Sequence, residues 1–201
     1  MANSNSNSCS ILEASVEWCE GKTVLPGIRR RCYYIHKKNI SKWPTLPGAA
    51  DGTPTSAVYT GSFELVEGAH FHHVDLLING SGIKSDPQGE KPSQTQNNTF
   101  TGVHPGTKEE ASMLAAYCNN SDLVWITQDA DGKYRVTGSE MSETTTTVAQ
   151  DGGQGLTGTA QTTVTATATD LIPQPFYEGE IDDEDEVINP QQQEQQEQQG
   201  E

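Results

Sequence analysis

The chain has 201 residues, a formal net charge of −16 and a hydrophobic content of 32%, below the usual globular share. Gly, Ser, Thr, Asn and Gln fill the difference, which excludes a large helical bundle and fits short strands joined by many turns. The net negative charge argues against sequence-independent nucleic-acid binding, which rests on cations that neutralise phosphates.

The first ten residues, MANSNSNSCS, form an Asn/Ser-rich leader predicted to be disordered. They lack the basic and apolar regions of a signal peptide. No apolar run reaches the roughly 18 residues of a helical membrane span, so no membrane partner is expected. Charge is uneven: seven of the 12 Lys and Arg lie between Lys22 and Lys42, and ten of the 28 acids lie from Glu178 onward with no cation among them. Arg29, Arg30 and Arg31 are expected as solvated charges beside a strand, with a local role still open.

RCYYIHK (Arg31–Lys37) has the β-branched and aromatic content of a strand. Ser41–Thr55 carries three prolines and two glycines and is predicted to be a loop. Ala57–Gly68 suggests two short strands paired about Gly61 and Ser62. His70–Gly82 is the most apolar strand candidate, with Val74, Leu76 and Ile78 on one face at period two. Ser81–Asn98 is polar and carries Pro and Gly, which predicts a long loop or flap. Asn98–His104 can form another strand. The one convincing helix spans residues 107–119, with Thr107 as N-cap and Glu110 completing a capping box. Ala111, Leu114, Ala115 and Cys118 form a single stripe, so the helix should lie across a sheet.

The segment TQDADGKYRVTGSE (Thr127–Glu140) places Asp129, Asp131 and Glu140 where a calcium loop has its first, third and twelfth ligands. Lys133 and Tyr134 stand at the fifth and sixth places, where an oxygen ligand and a glycine are required. Apolar, β-branched stretches flank Asp131-Gly132, so the segment is predicted to be a hairpin. In TTVTATATD, Val164, Ala166 and Ala168 face one way and Thr163, Thr165, Thr167 and Thr169 the other. With Thr144–Val148 this predicts a long Thr-rich hairpin broken at Asp151–Gly155. Its outer edges are suited to pairing with another chain through Thr144, Thr146, Val148, Thr163, Val164, Thr165, Thr167 and Thr169. Residues 179–201 are acidic and Gln-rich, predicting a disordered tail after a single β domain over 11–178.

His70, His72 and His73 form the densest set of potential ligands, with His36 or His104 able to complete a metal site. The competing reading, polar surface or a hydrogen-bonded edge, leaves no metal. Cys9, Cys19, Cys32 and Cys118 match no paired zinc pattern and are expected reduced; Cys9–Cys19 and Cys19–Cys32 are the conceivable disulfides. There is no nucleophile elbow or phosphate-loop spacing, so neither an enzyme nor a cofactor is expected. Trp43, Tyr59 and Trp125 motivate an alternative, a glycan- or receptor-binding β-sandwich.

Three stretches carry a resemblance: CEGKTVLPGIRRRCYYIHKKNI, HPGTKEEASMLAAYCNNSDLVWITQDADGKYRVTGSE and TVTATATDLIPQPFYEG. In this order, over roughly residues 15–180, they resemble tail-tube-like and ring or neck structural proteins of tailed bacteriophages of the crAss-like group that infect Bacteroidales. The resemblance implies a mainly β fold, a β-sandwich or partly open β-barrel with one flanking α-helix. It further implies a virion protein, assembled in the host cytoplasm, whose copies form a ring or tube around a DNA channel. Other tail, neck or portal proteins would be its partners, and DNA would pass through without specific binding.

Overall fold

In the computed structural model, which describes residues 15–48 and 53–190, one strand organises the fold. Leu123, Val124, Trp125, Ile126 and Thr127 are all fully buried. Successive side chains of a strand point to opposite faces, so a run with no exposed member needs cover on both sides. The chain supplies that cover from fourteen strands and one helix: β1 (Ile28–His36), β2 (Ile40–Lys42), β3 (Val58–Tyr59), β4 (Glu64–Leu65), β5 (His72–Asp75), β6 (Leu77–Gln88), β7 (Thr95–Pro105), α1 (Glu109–Cys118), β8 (Leu123–Asp129), β9 (Tyr134–Thr137), β10 (Thr145–Asp151), β11 (Gln161–Asp170), β12 (Phe176–Tyr177), β13 (Ile181–Asp182) and β14 (Val187–Ile188).

Six strands form one sheet in the order β3-β12-β9-β8-β1-β5, and four form a second in the order β10-β11-β7-β6. Among the described residues the fold is mainly β and sandwich-like, with one α-helix and no closed barrel. Between the sheets lie Cys32, Leu76, Phe100, Trp125, Val164 and Ala166. Trp125 centres this layer, with its ring 5.0 Å from Tyr34 and 5.5 Å from Phe100, and its Nε1 donates to Thr146 Oγ1 at 3.2 Å. On the far face of the six-stranded sheet, Ile35, Val124, Ile126 and Val136 are covered by Phe63, Phe71, Tyr177, Ile181 and Ile188.

The hairpin at Asp131-Gly132 forms between β8 and β9, and Asp129 is ion-paired with Arg135 rather than poised for calcium. The helical stripe is also present: Ala111 and Cys118 are buried, and Leu114 and Ala115 pack against the inter-sheet core. The helix starts later than expected. Lys108, not Thr107, holds the N-cap position, and no side chain caps it. Glu109 and Glu110 then sit in the first turn, where they complement the helix dipole.

Other expectations are corrected. Ser81–Asn98 is not a loop, because β6 and β7 pair through it from Gly82↔Thr101 to Gln88↔Thr95. Beyond the Ile83↔Phe100 pair the ribbon is polar on both faces, so it shows little hydrophobic alternation, and the backbone ladder with the Ser85–Asn98 and Gln88–Thr95 side-chain bonds holds it. The apolar strand from His70 breaks at Leu76, where the chain leaves one sheet for the other, so Ile78 is half exposed and not core. β3 and β4 exist but do not pair; their partners are β12 and β2.

The Thr-rich hairpin forms with the expected facing: Val164, Ala166 and Ala168 are buried. Its edges are not open. β11 pairs with β10 on one side and with β7 on the other, from Gln161↔Pro105 to Asp170↔Gln96. Thr163, Val164, Thr165, Thr167 and Thr169 therefore have no free edge for a second chain. β10 is an edge strand, but it is capped from the C-terminal end of α1. Val148 N donates to Asn119 Oδ1 (2.6 Å), Asn119 Nδ2 donates to Val148 O (3.4 Å), and Thr144 N donates to Asp122 Oδ1 (2.9 Å). Thr146 is buried against Trp125.

The chain after residue 178 is not an unstructured tail throughout. β13 and β14 pair, and Ile181 and Ile188 are buried in the outer core. The acidic composition masks two isoleucines seven residues apart, and the domain runs on to residue 190. The leader 1–10 and the tail beyond 190 lie outside the described residues.

Candidate functional site

The histidine cluster and the acidic tail meet. A parallel bridge joins Phe71 to Asp183; Phe71 N donates to Asp182 O and Glu184 N donates to Phe71 O. Two extended segments in this register present side chains in step, at period two. On the solvent side His70 Nδ1 lies 3.1 Å from Asp182 Oδ2, and His72 Nδ1 lies 3.0 Å from Glu184 Oε2. On the inner side His73 Nδ1 lies 2.8 Å from Asp183 Oδ2, while its Nε2 is 3.9 Å from Asp185 Oδ2. The hydrogen bond with His72 holds the Glu184 carboxyl below its ordinary range. Beside the cluster, Arg31 Nε donates to Asp75 Oδ1 at 2.9 Å, which likewise holds Asp75 down.

The three histidines do not converge on one point. Alternation sends His70 and His72 to one face and His73 to the other, as the strand period requires. Neither His36 nor His104 joins them. His36 Nδ1 accepts from Lys38 N, and His104 Nδ1 lies 2.8 Å from Asp75 O. The potential metal ligands that do gather are His73, Asp183 and Asp185, with one donor atom from each within 4.8 Å of the others. The Asp183 side chain is fully buried, and its Oδ1 has no hydrogen-bond partner. The sequence held one signal for this arrangement: HFHH and DDED are short, opposite in charge type and alike in period. Composition alone marked the second as disordered.

The two buried thiols, Cys32 and Cys118, offer no nucleophile. Burial pushes Cys118 up to about 12 and Cys32 further, so neither is ionised at neutral pH. Cys19 and Cys32 are not bonded to each other. The three aromatics that motivated a glycan site do not form an open platform together. Trp125 and Tyr59 are buried, and Trp43 packs edge-on against Phe63 at 5.3 Å.

A second feature lies at the other end of the chain. Every residue from 15 to 27 is exposed and outside helix and strand. This arm carries Val16 (95% exposed), Trp18 (69% exposed), Val24 and Leu25. It runs into β1 at Gly27, whose φ of +93° turns the chain into the sheet. No helix among the described residues is long and apolar enough to cross a membrane.

Comparison of the chain with protein-family models, with curated proteins and with solved structures finds no match.

Proposed function

We propose that the chain is a structural protein of a tailed-bacteriophage virion, whose copies assemble into a ring or tube around the DNA channel of the tail or neck. The observation that carries this reading is the arm of residues 15–27, with its uncovered Val16, Trp18, Val24 and Leu25. Extended, thirteen residues reach roughly 40 Å, enough to cross onto a neighbouring subunit. A contact in which one copy's arm lies on the next copy's body is heterologous, and such contacts generate rings when the rotation closes. The mainly β body, the net charge of −16 and the order of the motifs are consistent with a channel wall that lets DNA pass without gripping it. Portal, neck or tail proteins would bind above and below the ring. Assembly through the Thr-rich edges has no part in this reading, because those edges are already paired or capped.

The test is particle size and shape. Full-length protein, alone or mixed with the structural proteins encoded beside it, should give rings or tubes by negative-stain electron microscopy. Deletion of residues 1–26 should return the folded monomer. A protein that stays monomeric at every concentration and with every such partner refutes the reading.

A further inference from the structure

The acidic tail and the histidine strand together carry more than a set of hydrogen bonds. Five consecutive carboxylates, Asp182 to Glu186, span the end of β13 and the turn into β14 with no cation among them, and Asp183 bridges Phe71 next to β5. Four of the five side chains have a histidine partner or lie within 4 Å of one. The buried one, Asp183, keeps an oxygen without a partner. A buried carboxylate oxygen that makes no hydrogen bond is rare, and an ion is one of the things that explains it.

We infer that His73, Asp183 and Asp185 form a binding site for a divalent transition-metal ion of the zinc type, which clasps the tail to β5. One imidazole nitrogen with two carboxylates is a borderline donor set, suited to Zn²⁺ and its neighbours and poorly suited to Mg²⁺, which prefers oxygen and water. In zinc's tetrahedral geometry, Zn–N and Zn–O bonds of about 2.0–2.2 Å place two ligand atoms about 3.3–3.6 Å apart. The donor atoms here lie within 4.8 Å of one another, so the widest pair has to close by at most about 1.4 Å. Two features provide for that movement. Asp185 is largely exposed, free to swing, and His73 is partly open to solvent. Asp183 is fixed by burial and supplies the rigid side of the site. The ion would neutralise two adjacent carboxylates and give Asp183 its missing partner. His70 and His72, on the opposite face, are excluded from the site by strand geometry.

The experiment uses the full chain, freed of metal by chelator and dialysis. Zn²⁺ titration by isothermal calorimetry, with elemental analysis after gel filtration, should give one ion per chain. Saturating Zn²⁺ should raise the melting temperature by about 5 °C, and the same concentration of Mg²⁺ should not. Asp185→Asn changes an exposed side chain and should leave the fold intact while weakening Zn²⁺ binding at least tenfold; His73→Gln should do the same. His72→Gln should bind as the parent does. No stoichiometric uptake overturns the proposal. So does uptake that Asp185→Asn retains, or that His72→Gln loses as fully as His73→Gln, since that pattern describes zinc on surface histidines only.

Discussion

Replacing Ile181 by Ala tests whether the acidic tail is part of the folded domain. Ile181 has no exposed surface and belongs to the outer core with Phe63, Phe71 and Tyr177. Truncating a buried isoleucine to alanine costs about 2–5 kcal/mol, with the spread set by how far the site can collapse. The tail is peripheral and can shift inward, which favours the lower half of that range, about 2–3 kcal/mol. With a urea m-value of about 2 kcal/mol/M, the unfolding midpoint should fall by about 1–1.5 M at unchanged slope. Val187 lies in the paired β14 but is 63% exposed, so Val187→Ala should move the midpoint by less than about 0.3 M. If Ile181→Ala leaves the midpoint within about 0.3 M of the parent, or costs no more than Val187→Ala, the tail is not docked as described and the reasoning fails.

Three further outcomes are expected. A Cβ at Gly102 would stand 2.7 Å from Phe100 Cζ and 2.9 Å from Leu76 Cδ2, so Gly102→Ala should destabilise by about 1–3 kcal/mol in urea, while Gly82→Ala, with open space around it, should not approach that loss. Asn119→Ala removes both side-chain bonds to Val148 and should cost about 1 kcal/mol, with faster hydrogen exchange at the Val148 amide; unchanged exchange there would contradict the capping role. Burial raises the Asp170 pKa against an opposing hydrogen bond from Leu171 N, and Oδ2 is buried without a partner. A folded-state pKa above the unfolded one gives stability that is full below the unfolded pKa and is lost as pH rises through the folded pKa. Asp170→Asn should therefore melt higher than the parent at pH 7, and the gap should close as pH falls below about 4; a gap that persists at low pH assigns the effect to something other than charge.

The parts of the fold that were legible in the sequence are those whose hydrophobic pattern is local. β8 announces itself by five apolar or β-branched residues in a row, β11 by strict alternation, and α1 by one stripe. The parts that were not legible depend on pairing across distance. β6 has little apolar character, and nothing in Ser81–Gln88 says that Thr95–Thr101 will supply its ladder. The tail was hidden for a related reason. Averaged over residues 179–201 its composition is that of a disordered segment, yet the docking rests on Ile181, Ile188 and a charge register against His70–His73 more than a hundred residues away. The same averaging split the site: the histidines were visible, and their partners were not.

How the chain manages its sheet edges narrows how copies could meet. Each large sheet has two edges, and an open edge is a template for another strand. The β5 end is overlaid by the tail through the Phe71–Asp183 bridge, and next to β3 Thr60 exchanges both backbone bonds with Thr45. Asn119 and Asp122 tie down β10. At the other edge of that sheet, β6 pairs on one side with β7 and, among the described residues, has no strand on the other. Its far half is itself blunted by a Lys84–Asp86 ion pair and by Pro87, which has no amide hydrogen to donate. What stays open is the near half, with the exposed Leu77 and Ile78, beside a hollow that Arg30, Leu76 and Pro105 also line. Arg30 lies three residues beyond the point where the arm leaves the body. Under the proposed assembly, the uncovered apolar arm and the uncovered apolar edge of one subunit therefore lie close together. Each lacks what the other offers, which is the arrangement a head-to-tail contact between successive copies requires.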